Sequence, residues 1–196
     1  MLTRQETGGK RGATMAQDDV RLIEAVRLGD LRAFETLYRT YHSRLSHFLM
    51  RMLRRPVVVE EVLNDTLMVV WNRADSFNGA SKVSTWIFAI AYRKALKALR
   101  KLDEPMEDTF AEKRPSGEAG PEQLLGQSQT RAALAEALDD LTRDHRTVVD
   151  LAYFHEMGYR EIAEIMDCPV DTIKTRMYHA RRNLRSRLAG QLVDWL

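Results

Sequence analysis

The sequence predicts an all-α protein: two small helical domains joined by a flexible acidic linker, the C-terminal one a helix-turn-helix. Three observations predict this. Apolar residues recur at intervals of three and four over most of the 196 residues, and no segment alternates cleanly as a strand would. At 103–123 the pattern fails: the stretch holds Pro105, Pro115, Pro121, Gly117 and Gly120, with only Met106 and Phe110 as large apolar residues, too few to bury and order it. Charge divides at the same places. Residues 1–102 carry 18 bases and 10 acids (net +8), 103–123 carry 2 and 7 (net −5), and 124–196 carry 10 and 11 (net −1), which together give the formal +2. Near-neutrality therefore hides segregation, and it does not count against a polyanionic partner, because partners feel local charge.

In chain order, residues 1–15 read as a disordered tail, with Gly8, Gly9 and Gly12 and no apolar period. The N-terminal helical domain spans 16–102. Its first helix opens at Asp18 or Asp19 and carries Val20, Ile23, Ala25 and Val26. Gly29 breaks it, and the Asp30 side chain suits the cap of a second helix. That helix carries Leu31, Phe34, Leu37, Tyr38, Tyr41, Leu45, Phe48, Leu49 and Met52 at helical spacing, and Pro56 ends it and starts a third, about Val57 to Arg73. Asn78-Gly79 marks a loop from Ser76 to Ser81. Ser84 or Thr85 caps a fourth helix ending near Leu102.

After the linker, the C-terminal domain spans 124–196. Pro121 opens a helix reaching about Asp139, Thr142 caps another to about Phe154, and Gly158 punctuates. A short helix, Tyr159 to Met166, a tight turn at Asp167-Cys168-Pro169 and a longer helix from about Val170 past Arg187 complete the chain.

Several classes are excluded. No apolar stretch approaches the roughly 20 residues that cross a bilayer, so membrane insertion is not expected. Arg4, Lys10 and Arg11 are followed by no apolar run, unlike a secretory signal. Cys168 is the only cysteine, which rules out an intramolecular disulfide and suits a reducing cytoplasm. Gly8-Gly9 and Gly12 have no following Lys-Ser/Thr, so they form no phosphate-binding loop. His42 and His47 lack the i, i+4 spacing of a helical metal pair; with His145, His155, His179 and Cys168 they make no ligand run. Each His reads as a surface or partly buried polar residue, and Cys168 as packing at a turn. No enzyme, metal or cofactor is expected.

Two segments carry positive signals. Gly158 to Arg185, GYREIAEIMDCPVDTIKTRMYHARRNLR, is a helix, a tight turn and a basic helix, the helix-turn-helix pattern. Ile162, Ala163 and Met166 face inward, with Ala163 small enough for a close crossing. Ile173, Met177, Ala180 and Leu184 form the inner face of the second helix. Outside or on its flanks lie Asp171, Thr172, Lys174, Thr175, Arg176, His179, Arg181 and Arg182. From Thr172 to Arg187 there are six bases and no acid. Residues early in such a helix reach base edges in the major groove while others grip phosphate. The second signal is Phe77 to Ala91, FNGASKVSTWIFAIA, continuing as YRKALKALRK. A polar loop and an aromatic helix beside lysines and arginines suit single-stranded nucleic acid, whose bases stack on rings. Taken singly, Trp86 and Phe88 also fit a core.

The order of these parts resembles the extracytoplasmic-function (ECF) group of bacterial sigma factors: an amphipathic helical domain, F-x-G-x-S-x-x-x-T-W-I-F-x-I-A, a short acidic linker, then T-I-K-T-R-x-x-x-A-R in a helix-turn-helix. The resemblance covers about Leu28 to Leu188 and implies roles. Glu60 to Trp71, EEVLNDTLMVVW, matches the helix that docks on core RNA polymerase, with Glu61, Asn64, Asp65 and Leu67 as contacts. Phe77 to Ser84 and the helix after it match the part that opens the minus-ten promoter element and captures an unstacked base. Asn78, Ser81, Lys82 and Trp86 are the candidates there, with Arg93, Lys94 and Lys97 on the adjoining duplex. The last helix matches the reader of the minus-thirty-five element, through Asp171, Thr172, Lys174, Thr175, Arg176, His179 and Arg182. The linker matches a segment threaded toward the polymerase active centre. The resemblance further implies a cytoplasmic protein controlled by an anti-sigma factor. The alternative is a helix-turn-helix repressor or activator that binds duplex DNA without polymerase.

Overall fold

A computed structural model describes the backbone of residues 7–103 and 133–188, with side chains from 17 to 102 and from 133 to 188. The linker expected at 103–123 lies outside the described residues apart from Asp103, as does the start of the helix expected from Pro121. Among the described residues every regular element is helical. The elements are α1 (Thr7–Arg27), α2 (Leu31–Leu53), α3 (Pro56–Asn72), a 3₁₀ turn (Ala74–Ser76), α4 (Val83–Asp103), a helical stretch at 133–139, α5 (Arg143–Tyr153), α6 (Tyr159–Met166) and α7 (Val170–Leu188).

Local chemistry explains most of the boundaries. Gly29, at φ +86°, turns the chain between α1 and α2. Asp30 then caps α2, its Oδ1 accepting the N–H groups of Arg32 at 2.8 Å and Ala33 at 3.2 Å. Pro56 occupies the first turn of α3, where a missing N–H costs nothing. Thr142 caps α5 by accepting the His145 N–H at 3.3 Å.

Two boundaries differ from the sequence reading. α1 starts at Thr7, so helix includes part of the tail expected at 1–15. Extending an already anchored helix adds one backbone hydrogen bond per residue fixed, without the cost of nucleation. The turn holding Ile23 and Val26, both buried, is such an anchor. α4 starts at Val83, so neither Ser84 nor Thr85 is its cap. Thr85 is buried and its hydroxyl donates to Glu161 of α6 at 3.2 Å.

α1 to α4 pack pairwise around Leu37, Leu45, Phe48, Leu63, Ile87 and Phe88, all fully buried. One polar pair sits in this core: the Tyr41 hydroxyl donates to the Asp19 carboxylate. Burial pushes the Asp19 carboxyl up, and the Tyr41 hydrogen bond opposes that shift. α5, α6 and α7 enclose a smaller core of Val148, Leu151, Ile162, Ile165, Ile173 and Met177. The two cores join, because α6 packs on α4 and α5 touches α2.

Candidate nucleic-acid interface

Three surfaces carry the residues singled out by the sequence. The first is one face of α3. Its inner stripe, Val59, Val62, Leu63, Thr66, Leu67 and Val70, is buried. Glu61, Asn64 and Asp65 are exposed and share the opposite face, at helical spacing. Leu67, expected as a contact, does not join them: it is 2% exposed, one turn beyond Leu63 in the core stripe, and is a packing residue. Met68, 53% exposed, and Val57, 82% exposed, complete the outer face instead. The signal for Met68 was present in the sequence, since 61, 64, 65 and 68 share a helical phase. Lys94 of α4 reaches this face and pairs with Asp65 at 2.9 Å.

The second surface is the loop before α4 and the outer side of that helix. Gly79, at φ +74°, allows the tight bend, and Asn78 Oδ1 accepts the Ala80 N–H at 3.0 Å. Ser81 is half-buried and Lys82 exposed. Trp86 is half-buried against Phe77, ring centroids 5.6 Å apart at 58°. Arg93 and Lys97 are exposed, one turn apart. Lys94 and Lys97 also face α3 across a groove of about 180 Å³ that Glu61 and Asp65 line from the other side. The structure thus separates Asn78 to Trp86, at one end of α4, from Arg93, Lys94 and Lys97, which border the α3 face.

The third surface is the outer face of α7. Ile173, Met177, Ala180, Leu184 and Leu188 are buried, and Asp171, Lys174, Thr175, His179 and Arg182 are exposed. Thr172 and Arg176 are half-buried. Asp171 holds Lys174 at 2.9 Å, and its carbonyl accepts the Thr175 hydroxyl at 2.9 Å. Arg176 pairs with Asp144 of α5 at 2.5 Å and donates to the Cys168 sulfur at 3.7 Å. This clamp ties α7 to α5 and the turn. Burial pushes the Cys168 thiol up, with Arg176 opposing. His179 stacks on His145 at 6.1 Å, and burial, then the charge of His179, pulls the His145 imidazole down.

Sequence reasoning missed the contacts between the two halves. Arg51 of α2 pairs with the buried Asp150 of α5 and lies 3.5 Å over the Phe154 ring. Arg54 pairs with Asp139 at 2.5 Å. His155, expected at the surface or partly buried, is buried with its ring 4.8 Å from that of Phe88 and 5.9 Å from that of Phe48. Its Nε2 lies 3.6 Å from Asp150 Oδ2, beyond hydrogen-bond reach. Lys82 pairs with Glu161 of α6 at 3.0 Å. These partners stand tens of residues apart, and no local pattern marks them.

Comparison with known proteins follows the same division. Residues 37–104 match the model of Sigma-70 region 2, and residues 131–184 match that of Sigma-70, region 4. The ECF RNA polymerase sigma-E factor of Haemophilus influenzae is 28% identical over 180 residues, covering 87% of this chain and 95% of that protein. Among solved structures, CnrH in complex with the cytosolic domain of CnrY superposes with a TM-score of 0.66 at 21% identity, covering 89% of this chain and 99% of that one. The sigma factor RpoE of Bartonella quintana, in complex with the anti-sigma factor NepR, gives 0.62 at 24% identity, covering 82% and 99%. At these identities the two structures speak for the fold.

Proposed function

The chain belongs to the ECF group of RNA polymerase sigma factors, and from that premise we propose how its surfaces divide the work of transcription initiation. The outer face of α3, with Glu61, Asn64, Asp65 and Met68, docks on core RNA polymerase. The loop from Phe77 to Ser84 and the start of α4 take the minus-ten element. Asn78, Ser81, Lys82 and Trp86 hold the opened non-template strand, and Arg93, Lys94 and Lys97 grip the duplex beside it. α7 lies in the major groove of the minus-thirty-five element. Polymerase supplies the chemistry, and this chain supplies position.

The physics of each surface suits its role. Unstacking a base costs a few kcal/mol, which stacking on an aromatic platform and edge hydrogen bonds can return. The Phe77–Trp86 pair beside Lys82 offers both a ring surface and a cation. On α7, residues 171–176 sit in the first two turns, where side chains reach base edges, and Arg182 lies further along for phosphate. Tethering two modest DNA contacts gives more affinity and discrimination than either alone.

One observation carries this reading: the matches to region 2 and region 4 fall in that order on the two halves whose outer faces are, respectively, the α3–α4 surface and basic α7. An anti-sigma partner and a cytoplasmic location belong to the same proposal. The Bartonella factor's complex with an anti-sigma factor supports the former by likeness of fold. In the described residues no helix is long and apolar enough to cross a membrane.

The test is reconstitution with core polymerase and promoter DNA selected from genomic fragments. Specific transcription from the selected promoter is expected. Failure to bind core, together with tight binding of a duplex operator by the protein alone, would replace this reading with a repressor or activator.

A further inference from the structure

Two histidines meet on the outer side of the helix-turn-helix domain. His145 lies in the first turn of α5, where the Thr142 cap takes its backbone N–H. His179 lies on the exposed face of α7, one turn after Thr175 and three residues before Arg182. Their rings stack, centroids 6.1 Å apart at 24°, and the Tyr178 ring stands edge-on to His179 at 5.4 Å. The two members differ. His145 is half-buried, and its Nδ1 finds no hydrogen-bond partner among the described residues, so a proton added there would bury an unpaired N–H. Burial, and then the charge of His179, pull the His145 imidazole below its ordinary 6.5. His145 is therefore the neutral member, and any charge on the pair falls to the exposed His179.

The surrounding groups give that charge no counter-ion. On α5, Asp144 is taken by Arg176 at 2.5 Å, and Arg143 adds a further cation. On α7, Arg176 and Arg182 flank His179 at helical spacing, and no acid occurs from Thr172 to Arg187. Cys168 of the turn and Tyr92 of α4 border Asp144 and Arg176, and burial holds both in the uncharged form.

We propose that the His145–His179 stack is a proton-linked phosphate site: His179 takes up a proton from solvent as the minus-thirty-five duplex binds, and its imidazolium donates to a backbone phosphate while the His145 ring supports it from beneath. The inference rests on the minus-thirty-five role proposed for α7. Imidazole is the one side chain whose ordinary charge change falls between about pH 5 and 8. Among the α7 contacts, His179 alone changes charge in that range, because Lys174, Arg176 and Arg182 stay cationic throughout. An anion within reach favours the charged ring, and linkage requires the converse, that the protonated protein binds DNA more tightly. The complex holds more protons than the free protein. Affinity is then highest below the titration range of the free ring and falls as pH rises through that of the bound one.

Holoenzyme assembled from the full chain and core polymerase, bound at equilibrium to a labelled duplex promoter fragment selected from genomic DNA, tests this at pH 6 and pH 8. His179→Arg, whose cation is permanent, measures the pH dependence that belongs to polymerase. Relative to it, wild type is expected to bind about three- to tenfold more tightly at pH 6 than at pH 8. Its slope of log affinity against log salt should be steeper by up to about 0.9 at the lower pH, one phosphate contact more. His179→Gln should lose the pH dependence and bind at both pH values as weakly as wild type does at pH 8. His145→Phe keeps a ring beneath His179 without a titrating nitrogen and should retain the dependence. Equal pH dependence in wild type and His179→Arg overturns the site, as does its persistence in His179→Gln. Its loss in His145→Phe places the proton on His145 and overturns the assignment to His179. If Lys174→Ala and Arg182→Ala both leave promoter affinity unchanged, the minus-thirty-five role of α7 fails, and the inference fails with it for that separate reason.

Discussion

Two surfaces of this protein are read as DNA-binding, and the structure presents them differently. The outer face of α7 is open to solvent, its side chains held by partners within their own domain: Arg176 by Asp144, Lys174 by Asp171. The start of α4 is bound across the domain boundary, with Lys82 and Thr85 both on Glu161. The first arrangement orders the face that we propose for duplex DNA. The second ties the loop and helix start that we propose for the opened strand to the other domain, with Lys82 still 60% exposed. Intradomain partners orient; interdomain partners join the two halves.

The largest expected effect concerns the core of the N-terminal domain. Leu67→Ala should cost about 2–5 kcal/mol of stability in chemical denaturation, because it empties a site in the α3 core stripe. Met68→Ala, on the exposed face of the same helix, should stay within about 0.5 kcal/mol and weaken core polymerase binding instead. The reverse pattern would return Leu67 to the docking face.

Next comes the open surface. Arg176→Ala should weaken minus-thirty-five recognition by about 1–3 kcal/mol in a holoenzyme binding assay while core binding persists. Normal transcription from a dependent promoter would show that α7 is wrongly placed as the reader. Lys174→Ala and Arg182→Ala should each lower the slope of log affinity against log salt by about 1, with little change in sequence preference. Asp65→Arg should slow association with core polymerase and alter its salt dependence, since charges at an interface rim act chiefly on encounter.

The smallest effect concerns the contact between the halves and depends on pH. Burial pushes the Glu161 carboxyl up, but the Gly158 N–H, Lys82 and Thr85 outweigh it and hold the group below its ordinary 4.5. A carboxyl lowered in the folded protein contributes stability above its unfolded value and loses it as pH falls through the folded one. The Glu161 contact should therefore be intact above about pH 4.5 and weaken at lower pH. The Gly158 amide resonance followed against pH would report it, and a midpoint above 4.5 would contradict the geometry.

Much of this was legible in the sequence, and the exceptions share a cause. The stripes of α2 and α7, the caps Asp30 and Thr142 and the turn at Asp167 to Pro169 are local features, fixed by residues within one or two turns of one another. The family resemblance implies Leu67 as a contact, whereas the helix phase puts 63, 67 and 70 inside. Thr85 looked like a cap because its hydroxyl suits one, yet its partner is 76 residues away. Asp150, His155 and Glu161 gave no sign of pairing with Arg51, Phe88 and Lys82, since nothing in a one-dimensional pattern marks which distant helix faces meet.

Glu161 uses its two oxygens for two separate ends, one on the N-terminus of its own helix and one on the other domain. Substitutions there can divide what the native residue combines. Gln preserves the first use and weakens the second, whereas Asp shortens the reach to both and Ala abolishes both. Variants at position 161 should therefore be unequal, with Gln loosening the contact between the halves while its helix start stays capped, and Ala losing both.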